Sequence, residues 1–397
     1  MSELSWCGKL LVCYSAQKLP WSVALLAGRA VGTGVVVDGG WQPEAWWVPS
    51  KPEPLRVRFV AYESTSSYLW RLAGANGRNP DDLLQDVGEG DPGRKALAPS
   101  LAEVYLSRPA LERLSVLAGC APHTLQRALP NLREPLLLPG HRPRWHWPWA
   151  PQAGSLVRAC PLCAASRGAG GGVWLAWPDP WKVCLRHRRW TDGTRDDARG
   201  SFDLTPVPEV LRAHRYRLLL ECRFGPGGAA LVADAFAIVG WWWRQAPQAP
   251  LWRLREQRAG LGSGAVSTAP LLVYPEAAAL ARVLLGFERE RRSVLEGGWD
   301  DGRGREAGES RRAALLYRLE VLASLAGVDA AVGRVPVVEW LSRHHRLVRE
   351  AASPVLLGAG PRRGPVRCAV HADDAPHTSV DARSCLPWQW TNLHERI

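Results

Sequence analysis

The stretch Leu111-Glu112-Arg113-Leu114-Ser115-Val116-Leu117-Ala118-Gly119-Cys120-Ala121-Pro122-His123-Thr124-Leu125-Gln126-Arg127-Ala128-Leu129 decides the fold class. Apolar residues recur every three or four positions on both sides of Gly119, so two amphipathic helices are predicted to meet there. Small Ala118 lets the helices approach, and Gly119 supplies the positive φ that a tight turn needs. The spacing is that of a helix-turn-helix. As a DNA reader its second helix would present His123, Thr124, Gln126 and Arg127. As a packing unit the same hairpin would read nothing, and spacing alone leaves both open.

Toward the N-terminus, Ser64-Thr65-Ser66-Ser67-Tyr68-Leu69-Trp70-Arg71-Leu72-Ala73 predicts another helix, with hydroxyl caps and an apolar face at Leu69, Leu72 and Ala73. Asn76-Gly77 ends it. A further helix follows at once: Asn79 caps it, Pro80 takes the first position, and Asp81 and Asp82 suit its positive end. Gly88 to Pro99 reads as a loop, and residues 1–50 show no clear period.

Toward the C-terminus, the Pro- and Trp-rich residues 139–158 read as extended. Then come Cys160-Pro161-Leu162-Cys163 and, twenty residues on, Cys184-Leu185-Arg186-His187. In each pair a two-residue spacer lets one tight turn aim two ligands at the same ion. Two such knuckles, joined by a short hairpin, would close a tetrahedron of three thiolates and one imidazole, the pattern of a structural Zn2+ site. Lys182, Arg186, Arg188 and Arg189 lie near Trp177, Trp181 and Trp190. Such cations suit a phosphate backbone, whereas the Trp residues are better read as packing of a small core.

Residues 208–256 look helical, as do 274–285 and 311–346; Leu322 to Val328 repeats the small-residue and Gly turn. Gly297 to Gly308 reads as a polar loop, and the periodicity fades after Gly358. The expected class is therefore mostly α. The expected organisation is an unassigned extension at 1–50, a helical domain with the helix-turn-helix-like hairpin at 51–140, a zinc module at 141–200, a C-terminal helical domain at 201–346 and a poorly ordered tail at 347–397.

Composition narrows the function classes. The 397 residues carry a net charge of +12, which favours polyanions. Arg supplies nearly all of that charge, and such Arg dominance also fits a GC-rich coding bias. The nine Cys are an odd number; Cys7, Cys13, Cys120, Cys222, Cys368 and Cys385 are isolated, unlike a secreted disulfide framework. Leu19 to Val37 is apolar but interrupted by Arg29 and several Gly, so no membrane partner is expected and a reducing cytoplasm is. No nucleophile elbow, phosphate loop or dinucleotide fingerprint occurs, and an enzyme is not expected. The acidic pairs Asp81-Asp82, Asp300-Asp301 and Asp373-Asp374 read as solvated rather than as two-metal nuclease ligands. A zinc deaminase would need His-x-Glu, which neither His141-Arg142-Pro143 nor His146-Trp147-Pro148 offers.

Three features stand in order: Glu63-Ser64-Thr65-Ser66-Ser67-Tyr68-Leu69-Trp70-Arg71-Leu72-Ala73 ending in Ala75-Asn76-Gly77, the Leu117-Ala118-Gly119 hairpin, and Cys-Pro-x-Cys followed by Cys-x-x-His. This order resembles the TniQ/TnsD family of transposition proteins over roughly residues 53–190. Tyr62 stands where that family usually has Gly. The resemblance implies a non-catalytic adaptor that selects a target site and recruits a AAA+ ATPase and a transposase. It implies zinc at Cys160, Cys163, Cys184 and His187, and DNA or partner contacts from the hairpin; DNA contacts from Arg186, Arg188 and Arg189 rest on the residues themselves. A homodimer is allowed. The alternatives are a standalone zinc and helix-turn-helix transcription regulator, or a protein-docking adaptor that never touches bases.

Overall fold

A computed structural model describes residues 49–351, apart from 91–97, 148–150, 152–153, 171, 194–200, 225, 262–267 and 297–302. The expectations for the N-terminal extension, for most of the tail, and for Asp300-Asp301 and Asp373-Asp374 lie outside those residues. The described chain is mostly helical and divides into two compact units, one ending at Asp203 and the other beginning at Leu204.

The first unit opens with α1 (Thr65–Ala75) and α2 (Pro80–Val87). Their starts are set as the sequence predicts: the Ser64 Oγ accepts the Ser67 N–H, and the Asn79 Oδ1 accepts the Asp81 N–H at 3.0 Å. Strand β1 (Tyr105–Leu106) leads into α3 (Arg108–Leu117), and α4 (Pro122–Ala128) follows. Gly119 joins α3 to α4 with φ +61°, and the Arg56 guanidinium lies where a side chain would begin. Two 3-10 turns then lead to β2 (Trp145–His146), which pairs antiparallel with β1. Leu72, Leu83, Leu106, Leu114, Leu125 and Leu132 form the centre of the shared core.

Residues 155–203 depart from expectation. They form β3 (Ser155–Arg158), a one-turn α5 (Pro161–Ala165), β4 (Trp174–Trp177), β5 (Trp181–Cys184), β6 (Arg189–Asp192) and β7 (Phe202–Asp203). β3 pairs with β4, and β5, β6 and β7 make a three-stranded antiparallel sheet. Strands of two to four residues are too short to show a period of two, and β4 is buried on both faces, which erases the alternation altogether. The tryptophans pack as predicted: Trp181 and Trp190 stack at 5.7 Å and both are buried.

The second unit contains α6 (Pro208–Phe224), α7 (Pro226–Gln245), α8 (Pro250–Arg258), α9 (Ala269–Glu296), α10 (Arg303–Leu325) and α11 (Ala330–Ala351). Proline opens α2, α4, α5, α6, α7 and α8, where its missing N–H has no partner to lose. The polar loop expected up to Gly308 is too long, because the helix already starts at Arg303. Arg and Glu at 303–306 are good helix formers, and the local Gly residues did not outweigh them. The expected helix 274–285 is the middle of α9, which also runs through Pro275. One stretch of α9, Ala269–Phe287, is long and apolar enough to span a membrane, but most of it is buried against its neighbours. Buried polar groups fix this unit's register: Trp340 Nε1 donates to Asp234 at 3.0 Å, and the Arg255 guanidinium grips Glu276 at 2.8 and 2.9 Å.

In the first unit Glu103 is fully buried, accepting the Ser66 and Val104 N–H groups at 3.1 and 2.7 Å. Burial pushes its carboxyl up to about 7, against the pull of those donors. The folded pKa lies above the unfolded one, so the stability Glu103 contributes is complete in acid and is lost as pH rises through 7. Between pH 5 and 8 the wild-type chain should lose about 2–3 kcal/mol relative to Glu103→Gln. Urea unfolding of both chains across that range checks it; parallel pH profiles would contradict it.

Candidate functional site

Four ligand atoms converge at one end of the β3–β7 region. Cys160 caps α5 and Cys163 lies within it, so the first pair sits on one tight helical turn. Cys184 ends β5, and His187 lies in the turn before β6. The Nδ1 of His187 is 3.5, 3.2 and 3.6 Å from the Sγ atoms of Cys160, Cys163 and Cys184, and Cys163 and Cys184 are 3.7 Å apart. A tetrahedron with metal–sulfur bonds of about 2.3 Å and a metal–nitrogen bond of about 2.0–2.1 Å has edges of about 3.4–3.8 Å. Three of these four separations fall in that range and the fourth is shorter; all the ligand atoms lie within 4.8 Å of one another, and the cluster could hold a metal ion. Without one the thiols compete for protons: the hydrogen bond to Cys184, with burial, pushes Cys160 up to about 12, and the same bond draws Cys184 down to about 7. Three crowded thiols and an imidazole thus favour a cation at their centre.

The first helix is stitched to this region. Tyr62, Glu63 and Ser64 run along the free edge of β4: Ser64 N donates to the Trp174 carbonyl at 2.8 Å, and Ala176 N donates to the Tyr62 carbonyl at 3.0 Å. The Trp174 N–H donates to the Ser67 hydroxyl at 3.0 Å, and that hydroxyl donates to Glu63 Oε1 at 3.0 Å. The Arg71 guanidinium closes the network with two 2.7 Å bonds to the Glu63 carboxylate, and it also donates to the Arg58 carbonyl. Glu63 is fully buried; burial pushes its carboxyl up, while Arg71 and Ser67 pull it down. At the other end of α1, the Asn76 amide exchanges hydrogen bonds with the Leu55 backbone at 2.8 and 2.9 Å.

These clamp roles escaped sequence reasoning, which took Ser64 only as a cap. The available signal was the spacing: Glu63, Ser67 and Arg71 are four residues apart and share one helix face.

The candidate DNA contacts fall into two groups on separate elements. On α4, His123 and Arg127 are exposed, and Thr124 and Gln126 are partly so, while Leu125 is buried in the core. Gln126 Nε2 donates to Glu134 at 3.3 Å. In the turn between β5 and β6, Arg186 and Arg188 are exposed, and Arg188 has φ +51°. Arg189 is half-buried and donates to the Ser201 hydroxyl at 3.3 Å. Lys182 lies 4.0 Å over the Trp177 ring, so that cation is engaged by an aromatic face. Of the acidic pairs, Asp81 and Asp82 occupy the first turn of α2, as expected.

A helical hairpin and a strand-built Cys3His module, fastened together through α1, define the class of domain. Residues 54–189 match the family model described as TniQ, so this segment is a TniQ domain. That domain associates the chain with transposition. No curated protein and no solved structure matches the chain.

Tyr62 explains its own departure from the family pattern. Its φ is +65°, a conformation glycine adopts freely and other residues at about 1–2 kcal/mol. The ring offsets that cost by packing edge-on against Trp177 at 5.1 Å, with the Lys182 ammonium 5.6 Å away. Tyr62→Gly should therefore be more stable than Tyr62→Ala by about 1 kcal/mol, the reverse of the usual order. Glu63→Ala, which strands a guanidinium, should cost about 3–5 kcal/mol. Thermal unfolding tests both. Tyr62→Ala exceeding Tyr62→Gly would refute the backbone argument, and a Glu63→Ala loss below about 1 kcal/mol would refute the clamp.

Proposed function

We propose that this chain is a non-catalytic adaptor of transposition. It contacts target DNA and recruits a AAA+ ATPase and a transposase. The observation that supports this most directly is the clamp: the residues shared with the TniQ pattern fasten α1 to the Cys3His module, and the α3–α4 hairpin packs on the same core. Zn2+ is the ion that three thiolates and one imidazole select, held by Cys160, Cys163, Cys184 and His187. Bound there, it supplies folding energy through a closed coordination shell with no position open for water. The reduced thiols suit the cytoplasm.

His123, Thr124, Gln126 and Arg127 form the reading face, and Arg186, Arg188 and Arg189 hold phosphates from the second patch. Arg186 and Arg188 suit that role by exposure; Arg189 contributes through its free guanidinium nitrogens.

Purified protein should contain one zinc per chain by elemental analysis, and Cys184→Ser should contain none and shift its tryptophan emission to the red. Wild-type protein should bind duplex DNA and co-purify with a AAA+ ATPase encoded beside it. Gln126→Ala with Arg127→Ala should change sequence preference as well as affinity. Absence of metal from the wild type would remove the zinc assignment. ATPase capture without duplex binding would leave a protein-docking adaptor, and duplex binding without capture would leave a regulator.

A further inference from the structure

The loop from His141 to Arg144 follows the hairpin and carries three exposed basic residues, His141, Arg142 and Arg144, within four positions. Its backbone is held tightly. The Ser107 hydroxyl donates to the Arg142 carbonyl at 2.8 Å and accepts the Arg144 N–H at 2.9 Å, and the Ser107 N–H donates to the Arg144 carbonyl at 2.9 Å. On the other side, Glu89 N donates to the Pro143 carbonyl at 2.8 Å. That carbonyl comes so close to Gly88 that an added Cβ would sit 2.5 Å from it.

Ser107 is also the N-cap of α3, the first helix of the hairpin. The loop is thereby kept in register with the reading face, and a line of contacts joins the two. Gln126 of α4 reaches Glu134, Glu134 pairs with Arg108 at 2.6 Å, and Arg108 adjoins Ser107. Two acidic residues lie on this side among the described residues: Glu134 is engaged by Arg108, and Glu89 is exposed beside the loop.

We propose that the 141–144 loop is a phosphate-contacting element for duplex DNA, placed beside the α4 reading face by Ser107. The inference rests on the DNA-contacting role given above to α4. A solvated basic loop has no need of so many backbone bonds, whereas cations that must meet phosphates gain from being fixed beforehand. A duplex carries a phosphate charge about every 1.7 Å of axis, so cations flanking a helix in the groove meet backbone, position the protein and carry no sequence information.

The test is the salt dependence of binding to random duplex, measured by fluorescence anisotropy on the full chain. Each phosphate contact contributes about 0.9 to the slope of log affinity against log salt. Arg142→Ala with Arg144→Ala should lower that slope by about 2 and weaken all sequences alike, leaving sequence preference unchanged. Arg142→Lys with Arg144→Lys should keep the wild-type slope, because phosphate contact needs the charge and not the guanidinium shape. Equal zinc content and melting temperature identify folded variants. An unchanged slope in the Ala variant, with wild-type protein binding DNA, would overturn the loop proposal and leave the α4 reading standing. Wild-type protein that binds no duplex would overturn both.

Discussion

A carboxylate with no access to water, Glu63, sets the terms for the TniQ domain. Burying it alone would be prohibitive, so Arg71 must lie flat against it and the Ser67 hydroxyl must point at it. Once Ser67 points there, its remaining lone pair faces the Trp174 N–H. The ion pair thus fixes both the rotation of α1 and its seat on β4. It also solves an edge problem. One side of β4 pairs with β3, and the other would expose unpaired backbone if residues 62–64 did not cover it. A buried charge pair is weak support for stability, since apolar residues of equal volume often serve as well. Here its value is directional: apolar side chains could fill the space but could not specify the register.

That view accounts for what the sequence could and could not reveal. The helices around Gly119 and the caps at Ser64 and Asn79 were legible because local chemistry decides them. The Cys3His cluster was legible too, since Cys-x-x-Cys and Cys-x-x-His restrict geometry through spacing alone. The strands of residues 155–203 were hidden, because they are short and tryptophan-rich and β4 is buried on both faces. The tight turn of the first pair is a single helical turn, opened by Pro161 after Cys160. Glu63 was hidden differently, since Trp174, which its partner Ser67 holds, is more than a hundred residues away. Polar residues spaced by four are also common on exposed helix faces.

Tyr62 shows how a local rule can be broken without penalty overall. Left-handed backbone is needed because the chain must turn from the β4 edge into the helix cap within three residues. Glycine meets that need at no steric cost; tyrosine meets it with strain and a ring that reaches Trp177. The contact lies beside Lys182, whose ammonium burial drives down to about 8 despite the thiols nearby. The substitution therefore trades backbone ease for an aromatic cover over a desolvated cation.

The same bonds connect the Cys3His cluster to the hairpin through rigid pieces. Cys160 lies two residues beyond the end of β3, and β3 pairs with β4, whose Trp174 holds the start of α1. The far end of α1 holds Leu55 through Asn76. The entering segment in turn meets the hairpin twice: Glu53 N donates to the Leu117 carbonyl at 2.8 Å, and the Arg56 guanidinium rests against Gly119. A metal ion at the cluster would act at one end of this brace and the α3–α4 turn lies at the other. Such a chain of contacts describes a static support, since coupling requires an element with two discrete arrangements and this brace shows one. The hairpin is accordingly best viewed as an instrument mounted on the Cys3His module, with its aim set by Glu63, Ser67 and Asn76.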